Sequence, residues 1–364
     1  MDSISSYLEL SRDAAVRART DLENEQRDWI IEGNCAFELK PESKPAIRRG
    51  IIMVHGLTDS PFLFRDLAPM FRDQGFQVLA LQLPGHGTRP GDLLHIRWQD
   101  WLDSLRHLLD LLAREVEELY LAGFSIGANL CMYQALRDHR IRGLFLFAPA
   151  LRINFMAPLA CVMAKASRVS RRVAWLDILP DRDYFKYESI TNRSICEAYR
   201  QLGALRQFLA LAELRVPVFV VASEADAVVD GSAILQWFAG LTVPRRMLYY
   251  GAACPQVPAN VRCIPDFLPE QGIRSFSHMS MLQAPDNRHY GKNGAYNCCT
   301  HYYRMNPEKY RLCMQRKQQC LGEMFGESKD CRIVRRLTYN PYFADLLEEI
   351  AGFIQTMPEA VSSG

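Results

Sequence analysis

Five short apolar runs punctuate the chain: Gly50 to Val54, Gln77 to Leu81, Leu119 to Ala122, Leu144 to Phe147 and Val216 to Ala222. They read IIMV, LYLA, LFLF and VFVV without the polar alternation of a half-exposed strand, so they predict strands covered on both faces. Phe62 to Gln74 and Trp98 to Leu119 carry helical spacing, and in the second Leu102, Leu105, Leu108, Leu109 and Leu112 form one stripe. Strands alternating with helices predict βα units, an α/β fold class with a mostly parallel central sheet flanked by helices. Arg246 to Tyr250 supplies a sixth strand, and Tyr342 to Thr356 a final helix.

Between Phe147 and Val216 lie 68 residues, far more than one crossover helix needs. This predicts an inserted helical cap over 151–215, its second half helical from Ser194 to Glu213. Phe155, Met156, Leu159, Met163 and Trp175 offer apolar side chains for an acyl-binding cleft beneath it. Lys165, Arg168, Arg171 and Arg172 follow the apolar half, and read either as a solvated helix face or as a peripheral contact with a lipid surface. No repeat or low-complexity linker separates domains. The division is an N-terminal helical extension over 1–45, a core over 46–150 and 216–364 with a Cys-rich insertion over 285–337, and the cap as an excursion from that core.

Gly123-Phe124-Ser125-Ile126-Gly127 sits between the apolar run ending at Ala122 and a helical pattern from Ile126 to Arg137. Strand, sharp turn and helix in that order predict a nucleophile elbow, where residues two before and two after the serine must lack bulk. A serine hydroxyl needs a histidine to take its proton and a carboxylate to orient that histidine. The acid is expected just past the strand Val216 to Ala222, where Asp226 is the candidate and Glu224 and Asp230 the alternatives. Three histidines follow: His278, His289 and His301. His278, in the turn Ser275 to Ser280, is the expected base. Backbone N–H groups of Ile126 and Leu57 are the expected oxyanion donors, Leu57 lying in the loop after the first run. His55 in that loop is read as a brace.

Taken together, VHGLTDSP, the Leu83-Pro84-Gly85-His86-Gly87-Thr88 loop with Trp101 after it, GFSIG, SEADAVVD and SFSHMS resemble the α/β-hydrolase superfamily, and within it the bacterial carboxylesterase and monoacylglycerol lipase branch. The resemblance spans about residues 50 to 280. It implies the α/β-hydrolase fold, a triad of Ser125, Asp226 and His278, and hydrolysis of carboxylic esters with an apolar acyl group through an acyl-enzyme, on a small-molecule ester or lipid substrate and with no cofactor. A thioesterase or small peptidase would use the same triad, and a noncatalytic interaction protein would keep only the fold. The N-terminal extension and the long stretch after His278 have no counterpart in compact members.

With 364 residues, 49% of them hydrophobic and 23% charged, the chain can bury a large core. A formal charge of +2 gives no electrostatic footprint for nucleic acid. The N-terminus lacks the pattern of a signal peptide, and the most apolar stretch, Leu144 to Ala164, is broken by Pro149, Arg152, Asn154 and Pro158, which argues against a spanning helix. Eleven cysteines without an export signal favour reduced thiols and a cytoplasmic location. Cys298, Cys299, Cys313, Cys320 and Cys331 cluster near His301 but lack C-x-x-C pairs, so no metal is expected. Packed thiols are the expectation there and local disulfides the alternative.

Overall fold

The computed structural model describes residues 2–20, 25–42, 49–152, 157–167, 170, 173–251, 258–316, 319–324 and 326–357. The N-terminal segment forms α1 (Ile4–Ala18), capped by the Ser3 hydroxyl accepting from the Ser6 N–H, and α2 (Arg27–Asn34). It then departs from the purely helical expectation, because β1 (Phe37–Leu39) pairs antiparallel with the strand at Phe76–Leu81 and forms one edge of the main sheet.

The apolar runs become β2 (Arg49–Val54), β3 (Phe76–Leu81), β4 (Glu118–Phe124) and β5 (Ile141–Phe147). Every residue of β3 and of β4 is buried, as strands sandwiched between helix layers require. Two helices are shorter than the pattern predicts. A helix over 62–74 would hold Pro69 in its interior, where it lacks a donor and clashes. The chain instead makes a short 3₁₀ turn, Pro61–Phe64, and begins α3 (Ala68–Asp73) with Pro69 in its first turn. Likewise α4 (Trp98–Leu112) stops before the chain extends into β4, where the buried Glu118 carboxylate meets Arg49 at 3.2 Å. The leucine stripe is buried as its spacing requires, each leucine removed from water adding about 1.5–3 kcal/mol.

After α5 (Ile126–Ala135) and β5 the chain leaves the sheet as α6 (Ala157–Ala166), β6 (Trp175–Asp177), β7 (Ile190–Thr191) and α7 (Asn192–Leu209), with β6 and β7 an antiparallel pair. It returns through β8 (Val218–Ser223), α8 (Gly231–Ala239), β9 (Arg245–Tyr250) and β10 (Val261–Ile264). The eight-stranded sheet is ordered β1-β3-β2-β4-β5-β8-β9-β10, parallel apart from β1. From β2 the chain moves outward to β3, and from β4 outward the other way to β5. The reversal falls between β2 and β4, the position in such sheets where the strands' C-terminal ends leave a crevice for a ligand.

The stretch before the last helix holds α9 (Pro307–Met314) and a parallel pair, β11 (Gln319–Gly322) and β12 (Ile333–Arg336), followed by α10 (Phe343–Gln355). Disulfides join Cys299 to Cys313 and Cys320 to Cys331 here, and Cys161 to Cys196 ties α6 to α7. Cys263 is disulfide-bonded as well, while Cys35, Cys131 and Cys298 are buried free thiols. This corrects the expectation of packed thiols at Cys299, Cys313, Cys320 and Cys331, while Cys298 remains a packed thiol. Sequence spacing argues against a zinc knuckle but does not show that the fold brings these Cα atoms to 4.6–6.1 Å, the separation a disulfide needs. Among the described residues no cluster of three His, Cys, Asp or Glu groups is placed to hold a metal, and no helix is long and apolar enough to cross a membrane.

Alkylation of the unfolded, unreduced protein should therefore label Cys35, Cys131 and Cys298, while Cys161, Cys196, Cys299, Cys313, Cys320 and Cys331 react only after reduction. Peptide mass mapping that finds those six already alkylated would contradict the pairing.

Candidate active site

Ser125 occupies the turn between β4 and α5 with φ 55° and ψ −117°, a conformation that L residues rarely adopt. Its N–H donates to the Phe147 carbonyl at 2.9 Å, which ties the strained turn to β5. The glycines two before and two after cannot be replaced without collision. A Cβ on Gly123 would come within 2.6 Å of Ala128 Cα, and one on Gly127 within 2.1 Å of the Val54 carbonyl oxygen. Helix α5 thus starts directly against the end of β2, and Ile126 supplies one of the first-turn N–H groups that have no acceptor within the helix. Leu57 lies in the turn that follows β2.

Asp226 follows β8. Its Oδ1 accepts the Val228 and Val229 N–H groups at 2.8 and 3.0 Å, and its Oδ2 lies 2.6 Å from His278 Nδ1. Burial raises its pKa, but the imidazole and the two backbone donors outweigh burial and hold the carboxyl below its ordinary value. The carboxylate is therefore ionised at neutral pH and fixes Nδ1 as a donor, leaving Nε2 as the acceptor. The imidazole packs on Phe124, the residue before Ser125, with ring centroids 4.7 Å apart. The structure thus brings the elbow, the acid turn and the histidine turn to one rim of the sheet.

The alternatives are engaged elsewhere. Asp230 caps α8 through the Ala233 N–H and pairs with Arg152. His289 bonds to Asp183 at 2.9 Å inside a cluster with Tyr184, Phe185 and Tyr296, and His301 packs on Tyr302. His55 is fully buried, with Nδ1 2.9 Å from the Gly56 carbonyl and Nε2 accepting the Leu83 N–H at 3.1 Å. Burial drives its pKa down to about 3, so it is neutral and joins two loops as a brace.

The cap contributes residues that the sequence does not single out. Lys186 pairs with Asp59, and its Nζ donates to the Leu57 carbonyl at 3.4 Å; the Tyr187 N–H donates to the Thr58 carbonyl at 2.8 Å. Both contacts hold the Leu57 turn. At the start of α5, Gln201 of α7 donates to the Ile126 carbonyl at 3.0 Å. The narrow cleft touching Phe124 is lined by Leu63, Phe185, Met279 and Tyr290, with Asp59, Ser60 and Gln283 at its polar side. Of the residues expected at an acyl-binding cleft, Leu159, Met163 and Trp175 do not line it. Phe155 and Met156 lie outside the described residues, as do Arg168, Arg171 and Arg172. Leu159 is 48% exposed on α6, and Met163 and Trp175 are half-buried. The cleft takes its apolar walls from Leu63, Phe185, Met279 and Tyr290, which no local pattern links.

Comparison with known proteins gives a match to the family model described as serine aminopeptidase, S33, over residues 45–252. That span includes Ser125 and Asp226 and ends before His278. A thermostable monoacylglycerol lipase of Bacillus sp. (strain H-257) is 25% identical over 186 residues, 50% of this chain and 71% of that protein. Phospholipase YtpA of Bacillus subtilis (strain 168) is 26% identical over 211 residues, 52% of this chain and 81% of that protein. A solved monoacylglycerol lipase from Paleococcus ferrophilus has 18% identity and a TM-score of 0.47, covering 60% of this chain and 88% of that one.

Proposed function

Because the chain belongs to the serine aminopeptidase S33 family of α/β-hydrolases, we propose that it hydrolyses carboxylic esters with an apolar acyl group through a covalent acyl-enzyme on Ser125. The observation that carries this reading is the Asp226–His278 bond, with the imidazole packed on the residue next to Ser125. His278 Nε2 takes the hydroxyl proton as Ser125 Oγ attacks the ester carbonyl. The developing oxyanion is stabilised by the Ile126 N–H, aided by the positive end of α5, and by the Leu57 N–H. The proton passes to the departing alcohol, and His278 then activates water against the acyl-enzyme. Asp226 keeps the imidazole oriented and balances its charge. Relatives named as a monoacylglycerol lipase and a phospholipase support a lipid ester as the substrate class.

Disulfides persist in oxidising compartments. The three pairs above therefore favour such a compartment over the reducing cytoplasm expected from the sequence.

A series of monoacylglycerols and p-nitrophenyl esters of increasing chain length tests the substrate class. The expected result is kcat/KM rising from acetyl to medium-chain acyl groups, with a burst of alcohol wherever deacylation is slow. Turnover of thioesters or peptides but of no oxygen ester would overturn it.

A further inference from the structure

We infer that Glu323, carried by the Cys-rich insertion, is a positioning residue that locks together the two loops bearing Asp226 and His278; the inference rests on the triad reading above. Glu323 is 3% exposed, and one of its carboxylate oxygens, Oε2, accepts the Ala227 N–H at 3.2 Å and the His278 N–H at 3.0 Å. One side chain thus bonds to the residue after the proposed acid and to the backbone of the proposed base. The two loops lie 52 positions apart in the sequence, and this carboxylate joins their backbones in addition to the side-chain bond between Asp226 and His278.

The insertion is built to present this carboxylate. Arg336 at the end of β12 donates to the same Oε2 at 3.0 Å, its Nε lies 2.7 Å from Oε1, and the Met324 N–H donates to Oε1 at 2.7 Å. A buried carboxylate is costly unless paired and fully hydrogen-bonded, and these donors meet that need. The flanking backbone is stitched to the histidine loop: Arg274 N–H to the Leu321 carbonyl at 2.7 Å, Leu321 N–H to the Gly272 carbonyl at 2.8 Å, and Glu323 N–H to Ser275 Oγ at 3.1 Å. The Ser277 hydroxyl donates to the Leu337 carbonyl at 2.5 Å on the other side. The Cys320–Cys331 disulfide closes the loop that contains Glu323. Glu323 and Arg336 both lie beyond the residues matched by the family model.

The test separates reach from charge. Glu323→Asp keeps the charge for Arg336 but withdraws the acceptor by one methylene from the two N–H groups. Glu323→Gln keeps the reach and one oxygen for those two N–H groups but loses the charge, and turns an NH₂ toward the Met324 N–H and Arg336 Nε. A positioning role predicts that Glu323→Asp lowers kcat and the rate of fluorophosphonate labelling by on the order of 10- to 100-fold. KM should stay within about threefold, and Glu323→Gln should retain most of the wild-type kcat. Wild-type kcat in Glu323→Asp, or a kcat in Glu323→Gln at or below that of Glu323→Asp, would overturn it. Should either variant fail to fold, hydrogen exchange on the wild-type protein decides: protected Ala227 and His278 amides support the bridge, and exchange at unprotected rates overturns it. Failure of the triad reading would show differently, as wild-type protein that takes no label at all.

Discussion

Ser125→Ala is expected to lower ester turnover by on the order of 10⁴- to 10⁶-fold while leaving the thermal midpoint close to wild type. In barrier terms that is about 5–8 kcal/mol. The size follows from removing the oxygen that forms the covalent bond in the proposed mechanism, so that what would remain is hydrolysis by water aided by the proposed oxyanion donors alone. The fold should persist because the substituted alanine meets the same backbone constraint, φ 55°, as the serine it replaces. The turn is held by its N–H bond to Phe147 and by glycines at 123 and 127, none of which uses the hydroxyl. Steady-state kinetics together with a melting curve check both halves. Retention of more than a few per cent of wild-type kcat would contradict the assignment.

Asp226→Asn is expected to cost on the order of 10³- to 10⁴-fold in kcat, again without loss of fold, and the hydrogen bonds of the turn say why. Oδ1 of Asp226 accepts two backbone N–H groups, from Val228 and Val229. An asparagine must keep its carbonyl oxygen there, which turns its NH₂ group toward His278 Nδ1. Nδ1 then becomes the acceptor and the proton moves to Nε2, the tautomer unable to accept a proton from Ser125. A comparison of kcat for Asp226→Asn with Asp230→Asn checks the choice of acid. Asp230 is engaged with the N-terminus of α8 and with Arg152, so its replacement should leave kcat close to wild type.

Most of the scaffold of this site is legible in the sequence because parallel strands buried on both faces betray themselves as unbroken apolar runs. The elbow is legible for a steric reason, since Gly123 and Gly127 stand where a Cβ has no room. The pairing of Asp226 with His278 that the proposal uses is expected from chain order and from the turns that hold the two residues. What escapes has a common cause. Strands β1 and β10 span three and four residues, too short to show a period. The pattern overextends α3 because Pro69 reads equally as an interior residue or as the start of a new helix. The disulfides depend on Cα distances set by the completed fold. Lys186 reaches the Leu57 turn across 127 to 129 positions, and Glu323 reaches the His278 N–H across 45. A charged residue in a polar stretch reads as surface until tertiary structure buries it against backbone donors.

The cap residues mark the same boundary from the other side. Leu159 and its neighbours stand out for being apolar, yet apolar character does not decide direction, and Leu159 is half exposed on α6. The cleft beside Phe124 is instead assembled from separate stretches of the chain. One of its wall residues, Phe185, stacks on Phe62 with ring centroids 3.7 Å apart.

The most direct measurement of the central claim is intact-mass and peptide mapping of the full-length protein after exposure to a fluorophosphonate ester, with wild type, Ser125→Ala and His278→Ala treated alike. The account predicts one adduct per wild-type chain, located on Ser125, none on Ser125→Ala, and labelling slowed by several orders of magnitude in His278→Ala. An adduct on a different residue, or equal labelling of wild type and His278→Ala, would contradict it.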